Sequence, residues 1–168
     1  MHSSMNLETI KKLLLIFTAI LLSVIAVSSQ GWAEKEAQST QELVIVDKGK
    51  TSAVIVVAEK AGPNEQLAAE DLAKYIALMS GAAPTIAKTP EVIAGALKEN
   101  APVLLIGQEA LKADKSLVAA LKKPVTVKGL LRSDAIVLRR KDNRVYLAGS
   151  NDLSHYYAVV ELLRRWGC

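Results

Sequence analysis

The stretch Ala135-Ile136-Val137-Leu138-Arg139-Arg140-Lys141-Asp142-Asn143-Arg144-Val145-Tyr146-Leu147-Ala148 decides the fold. Two apolar runs, 135–138 and 145–148, flank the polar turn Lys141-Asp142-Asn143. Runs of this composition read as strands, and a short polar link between them predicts an antiparallel hairpin. Upstream the pattern differs, because strands alternate with helices. A hairpin following alternating β and α units predicts a mixed sheet with helices packed against it, not an all-parallel doubly wound one.

Residues 43–46, Leu-Val-Ile-Val, read as a strand ended by Asp47-Lys48-Gly49-Lys50. Residues 52–58 form a second run, nearly continuous in Val and Ile, that stops before Gly62-Pro63. Unbroken runs of this kind suit strands that are central or covered on both faces. Residues 64–80 are the clearest helix. Pro63 and Asn64 suit its start, Glu65, Glu70 and Asp71 favour its first half, and Gly81 suits its end. Leu67, Leu72, Tyr75, Ile76 and Met79 are its expected apolar stripe, with Glu70 and Lys74 on the wet side. A brief strand at 85–87, a short helix at 91–99 and a buried strand at 102–107 follow. A helix is then expected over 109–122. The last helix, 154–166, is expected to bury Tyr157, Val160 and Leu163, with Val159 beside them.

The N-terminus reads as an export signal. Lys11 and Lys12 precede an apolar run from Leu13 to Val27, and Gly31 and Ala33 supply the small residues of a cleavage site. A spanning helix wants about 20 apolar residues, more than this run has. The expected organisation is a signal peptide at 1–33, a linker at 34–42 and one domain at 43–168. The product is expected to be exported, periplasmic or secreted, with no stable membrane span after cleavage. Removing thirty-three of the 168 residues also removes two Lys and one Glu, leaving nineteen basic against sixteen acidic side chains. A chain of this size can bury about two-thirds of its unfolded surface. So small a positive excess, without a basic stripe interleaved with aromatics, argues against nucleic acid as a partner. The single cysteine, Cys168, forms no intrachain disulfide.

Chemistry-bearing patterns are scarce. After the signal, His155 is the lone histidine, so neither a zinc site nor a triad with the adjacent Ser154 and Asp152 is expected. It reads as a partly exposed residue at a helix start. Ile106-Gly107-Gln108-Glu109-Ala110 has the strand–glycine–helix order of a phosphate loop but one glycine only, and fails that fingerprint. Glu70, Asp71, Glu109, Asp114, Asp134 and Asp152 lack the spacing that ties two carboxylates across one glycosidic bond. They read as caps and solvated faces. No residue is therefore assigned a catalytic, cofactor-binding or metal-binding role, and no cofactor is expected.

The whole pattern carries a resemblance. Ala53-Val54-Ile55-Val56-Val57 leads to Asn64-Glu65-Gln66-Leu67-Ala68-Ala69-Glu70-Asp71-Leu72-Ala73-Lys74-Tyr75-Ile76. Then come Met79-Ser80-Gly81-Ala82, Leu104-Leu105-Ile106-Gly107, Arg144-Val145-Tyr146-Leu147-Ala148-Gly149 and Tyr157-Ala158-Val159-Val160-Glu161-Leu162-Leu163, ending in Trp166-Gly167-Cys168. In order and spacing this resembles the domain before the catalytic barrel of family 67 α-glucuronidases, and is similar to that of family 20 β-N-acetylhexosaminidases. The resemblance implies an α+β fold, a mixed β-sheet with helices packed mainly on one face. It also implies a non-catalytic accessory role and a downstream barrel as partner, the chain being either a fragment or a free-standing version. The alternative is a stand-alone extracytoplasmic module that binds a glycan or a protein. Trp166, Tyr75, Tyr146, Tyr156 and Tyr157 are few aromatics for stacking sugar rings, which favours the accessory role.

Overall fold

The computed structural model describes residues 42–122 and 134–168. The expected signal peptide at 1–33 and most of the linker lie outside the described residues. The fold is a mixed α/β domain. Its elements run β1 (Val54–Val56), α1 (Pro63–Ser80), β2 (Thr85–Ala87), α2 (Pro90–Lys98) and β3 (Val103–Ile106). There follow α3 (Gly107–Ala113), α4 (Ser116–Leu121), β4 (Ile136–Lys141), β5 (Arg144–Gly149) and α5 (Asp152–Arg165). The sheet order is β2-β1-β3-β5-β4. The first four strands in that order are parallel, and β4 alone runs antiparallel, from Ile136 opposite Gly149 to Lys141 opposite Arg144. The hairpin thus makes the sheet mixed, and its turn is tight because Asp142 takes a left-handed conformation, φ 53°.

All four residues of β3 are buried, because helices cover both faces of the sheet, where the resemblance implied helices mainly on one. Strand alternation sorts them. Leu104 and Ile106 join Ile55, Val145 and Leu147 beneath α1 and α5, the two long helices, which also pack on each other. Val103 and Leu105 join Val56, Tyr146 and Ala148 beneath the shorter α2, α3 and α4. Each fully buried Ile or Leu contributes about 1.5–3 kcal/mol, so the core rests on ordinary aliphatic packing.

Four local expectations are corrected. Residues 43–46 make no strand. Leu43, Ile45 and Val46 are half-buried against the α1/α5 side of the core, while Asp47 and Lys50 bridge across a turn of their own. The helix expected over 109–122 is broken at Asp114, whose carboxylate takes the Ser116 N–H (2.9 Å) and hydroxyl (2.6 Å). Asp competes well for backbone N–H groups, which ends α3 and starts α4. The α1 stripe is shifted. Glu65, Ala68, Ala69, Leu72 and Ile76 are buried, whereas Leu67 and Met79 are exposed. On α5, Leu163 is buried as expected, but Tyr157 and Val160 are each 42 % exposed, their places taken by Ser154, His155, Ala158, Val159 and Leu162.

Candidate functional site

Three helices start at the carboxyl ends of parallel strands: α1 after β1, α3 directly after β3, and α5 two residues after β5. Helix starts carry N–H groups without intrahelical partners, and open α/β sheets take ligands at this end. Here each start is met by a side chain of the protein itself. Asn151 accepts the Ser154 N–H at 2.8 Å and caps α5. Asp152 accepts the N–H of Glu65 (3.0 Å) and of Asn64 (3.2 Å), and the Asn64 side-chain amide (2.7 Å). One carboxylate from α5 thus caps α1, the role expected of Asn64. Glu65 in turn accepts the Gln108 N–H at the start of α3, 2.9 Å.

That last bond explains the single glycine of the Ile106-Gly107-Gln108 turn. Gly107 has φ 54°, and a Cβ on it would overlap the Glu65 carboxyl. The place that a phosphate would take in a dinucleotide site holds a carboxylate of the chain. Glu65 is only 2 % exposed. Burial raises its carboxyl above the ordinary value, the Gln108 N–H opposes, and the charges of Asp152 and Glu109 add to the rise. Asp152 moves the other way. Burial would raise it, but the Asn64 side chain, the N–H groups of Glu65 and Asn64, and His155 together hold it below the usual carboxylate range.

His155 is not partly exposed. It is 1 % exposed, in the first turn of α5, and its Nδ1 accepts the Gly149 N–H at 2.8 Å. Burial holds the imidazole below its ordinary value, against the pull of Asp152. No triad assembles, because the Ser154 hydroxyl turns to Asn151 (2.9 Å) and Asp152 is engaged with α1. The other acids are caps and pairs. Asp71 accepts the Tyr156 hydroxyl (2.9 Å), which raises the phenol above its ordinary value. Glu70 pairs with Lys88, Glu109 with Lys112 and Asp114 with Arg139. Asp134 bonds Asn151 and Ser154. Among the described residues, no group of three or more His, Cys, Asp or Glu is placed to hold a metal ion, and no helix is long and apolar enough to cross a membrane. Glu65 is the residue that the helical pattern concealed. Its one signal was an acid in a first turn close behind a Gly-Pro start.

Two grooves remain. One, about 500 Å³, lies between α2 and α3 and is lined by Ile93, Leu97, Lys88, Glu59, Glu109 and Lys112. The other, about 400 Å³, runs between α1 and α5 along Asp71, Tyr75, Tyr156, Val160, Leu163 and Cys168. Leu153, Tyr157 and Val160 stand exposed on α5, and Leu67, Leu78 and Met79 on α1. Arg164, also in the lining, is held by Glu161, whose carboxyl is lowered to about 2 by Arg164 and Arg165. Fold and site together define a mixed α/β domain whose usual ligand end is closed by its own side chains. Comparison with models of known protein families finds no match, and no curated protein is significantly similar to the chain.

Proposed function

We propose that this chain is the non-catalytic accessory domain of an exported carbohydrate-active enzyme, of the α-glucuronidase or β-N-acetylhexosaminidase type, and that it supports a catalytic barrel following it. The observation that carries this reading is the apolar α1/α5 face. Leu153, Tyr157 and Val160 recur at i, i+4 and i+7, so they form one helical stripe open to solvent. Contiguous exposed apolar patches above a few hundred Å² mark interaction sites. Cys168 lines the adjoining groove, so a polypeptide continuing past it would start on this face. The carboxylates at the strand ends, spent on helix starts, agree with an accessory role.

The test is direct. The purified chain is assayed with aryl glucuronides and aryl N-acetylhexosaminides and run on a sizing column. The expected result is no turnover and a self-associating species that Tyr157→Glu or Val160→Glu returns to monomer. Turnover that survives repurification and disappears in Asp134→Asn overturns the reading. Secreted material should begin at Glu34, and recovery of the uncleaved chain in carbonate-washed membranes would sink the export part. One observation favours the stand-alone glycan-binding module: Tyr75 and Tyr156 both line the α1/α5 groove. A silent, clean monomer whose Tyr75 and Tyr156 resonances shift with oligosaccharide would select that alternative.

A further inference from the structure

We propose that His155 is an acid-released latch that fastens the start of α5 to the end of β5. The latch is built from two contacts at one point. Gly149 ends β5 so close to α5 that a Cβ on it would overlap the backbone of Ser154. At that contact the Gly149 N–H is donated to His155 Nδ1. A neutral ring accepting at Nδ1 carries its proton on Nε2, and Nε2 has no hydrogen-bond partner among the described residues. A second proton must therefore enter at Nδ1. Donor then faces donor, the Gly149 bond is lost, and a cation whose Nε2–H has no acceptor among the described residues stands in the buried interior.

The surroundings offer the cation little. On α5 itself, Asp152 is the one charge that acts on the ring, and its oxygens are held by Asn64 and Glu65. On α1, Glu65 is spent on Gln108 and Asp71 on the Tyr156 hydroxyl. Ahead of β4, Asp134 bonds Asn151 and Ser154. Arg139, Arg140 and Lys141 of β4 pair with Tyr146, Val145 and Arg144, three to five rungs from Gly149. The closed form therefore resists the proton that an opened helix start accepts. As pH falls below about 6.5, the ordinary imidazole value, opening gains about tenfold per pH unit until the closed ring itself titrates. Leu153 and Tyr157 flank His155 on the exposed side of α5, so opening also displaces one end of the apolar face. The latch stands whatever docks on that face.

Amide exchange of the whole chain, followed by NMR from about pH 7.5 to about pH 5, tests it. Once corrected for intrinsic exchange, protection at Gly149, Ser154 and His155 should fall together, by about tenfold per pH unit, while β3 stays protected. His155→Asn, whose side-chain oxygen can take the Gly149 N–H and does not titrate, should abolish the fall. Asp152→Asn removes the charge that favours the imidazolium and should extend the fall to lower pH, which keeps a test if His155→Asn does not fold. Protection unchanged across the range in the natural chain overturns the proposal. So does the same fall, undiminished and unshifted, in both variants.

Discussion

Replacing Asp152 by Ala should cost more stability than any ordinary surface change, because one carboxylate holds two helices together. It takes the Glu65 N–H at 3.0 Å, the Asn64 N–H at 3.2 Å and the Asn64 amide at 2.7 Å. Loss of a capping side chain costs about 0.5–2 kcal/mol. Leaving the N–H of the buried Glu65 without its acceptor adds about 1–3 kcal/mol. Part of this returns, since Asp152 also repels the Glu65 carboxylate. A net loss of about 2–3 kcal/mol is expected, which at about 1–3 kcal/mol per molar urea moves the unfolding midpoint by about 0.7–3 M. Urea titrations followed by circular dichroism measure this, with an unchanged slope confirming that both states stay comparable. Asp152→Asn should lose less, because an oxygen remains. The sign with pH is fixed: Asp152 is depressed in the fold, so its contribution is present above its unfolded value near 4 and is lost as pH falls through the folded one. A loss below about 0.5 kcal/mol, the range of an ordinary surface change, would refute the argument. So would additivity with Asn64→Ala, since partners in one network should couple.

Glu65→Gln keeps an oxygen for Gln108 and removes a buried charge. The folded carboxyl is raised, so its contribution is present at low pH and lost as pH rises through the folded value; the Gln variant should gain on the natural chain towards neutrality in urea titrations at several pH values. Gly107→Ala should cost more than about 1 kcal/mol, because a left-handed φ and the Glu65 carboxyl both oppose a Cβ; thermal melts should show the drop, and an unchanged midpoint would contradict the packing. Leu163→Ala should cost about 2–5 kcal/mol and Tyr157→Ala under about 1 kcal/mol. The reverse order in chemical denaturation would mean that the faces of α5 are assigned wrongly.

The hairpin at 135–148 was legible because both signals agree: β-branched apolar runs, and a polar link too short for anything but an antiparallel return. So was the placement of β3, whose Val-Leu-Leu-Ile run is buried throughout. What misled the helix faces was residue size. On α1 the buried positions 65, 68, 69, 72 and 76 keep the helical period, but two are Ala and one is Glu, while Leu67 and Leu78 point outwards. A stripe of large side chains finds the period and misses the phase where helices approach closely on alanines. Leu43 to Val46 had strand composition, yet Leu43, Ile45 and Val46 pack on the core from an irregular segment, which composition does not report. Glu65 and His155 escaped for a common reason. Each is buried and accepts a backbone N–H from a neighbouring element, Gln108 of α3 in one case and Gly149 of β5 in the other, and no local pattern announces such a donor.

Strand β5 lies between β3 and β4, although it is made last of the five. The parallel register Val103↔Arg144 to Ile106↔Leu147 therefore waits until nearly the whole domain has been synthesised. A nascent chain that has reached Lys122 holds β1, β2 and β3, with one rim of β3 still lacking its neighbour and with Leu104 and Ile106 not yet roofed by α5. Such an open rim is a template for pairing with another chain. Early release of a polypeptide of this design, or stalling before residue 144, produces a sticky half-sheet, whereas arrival of the last twenty-five residues supplies the missing strand and its cover in a single step.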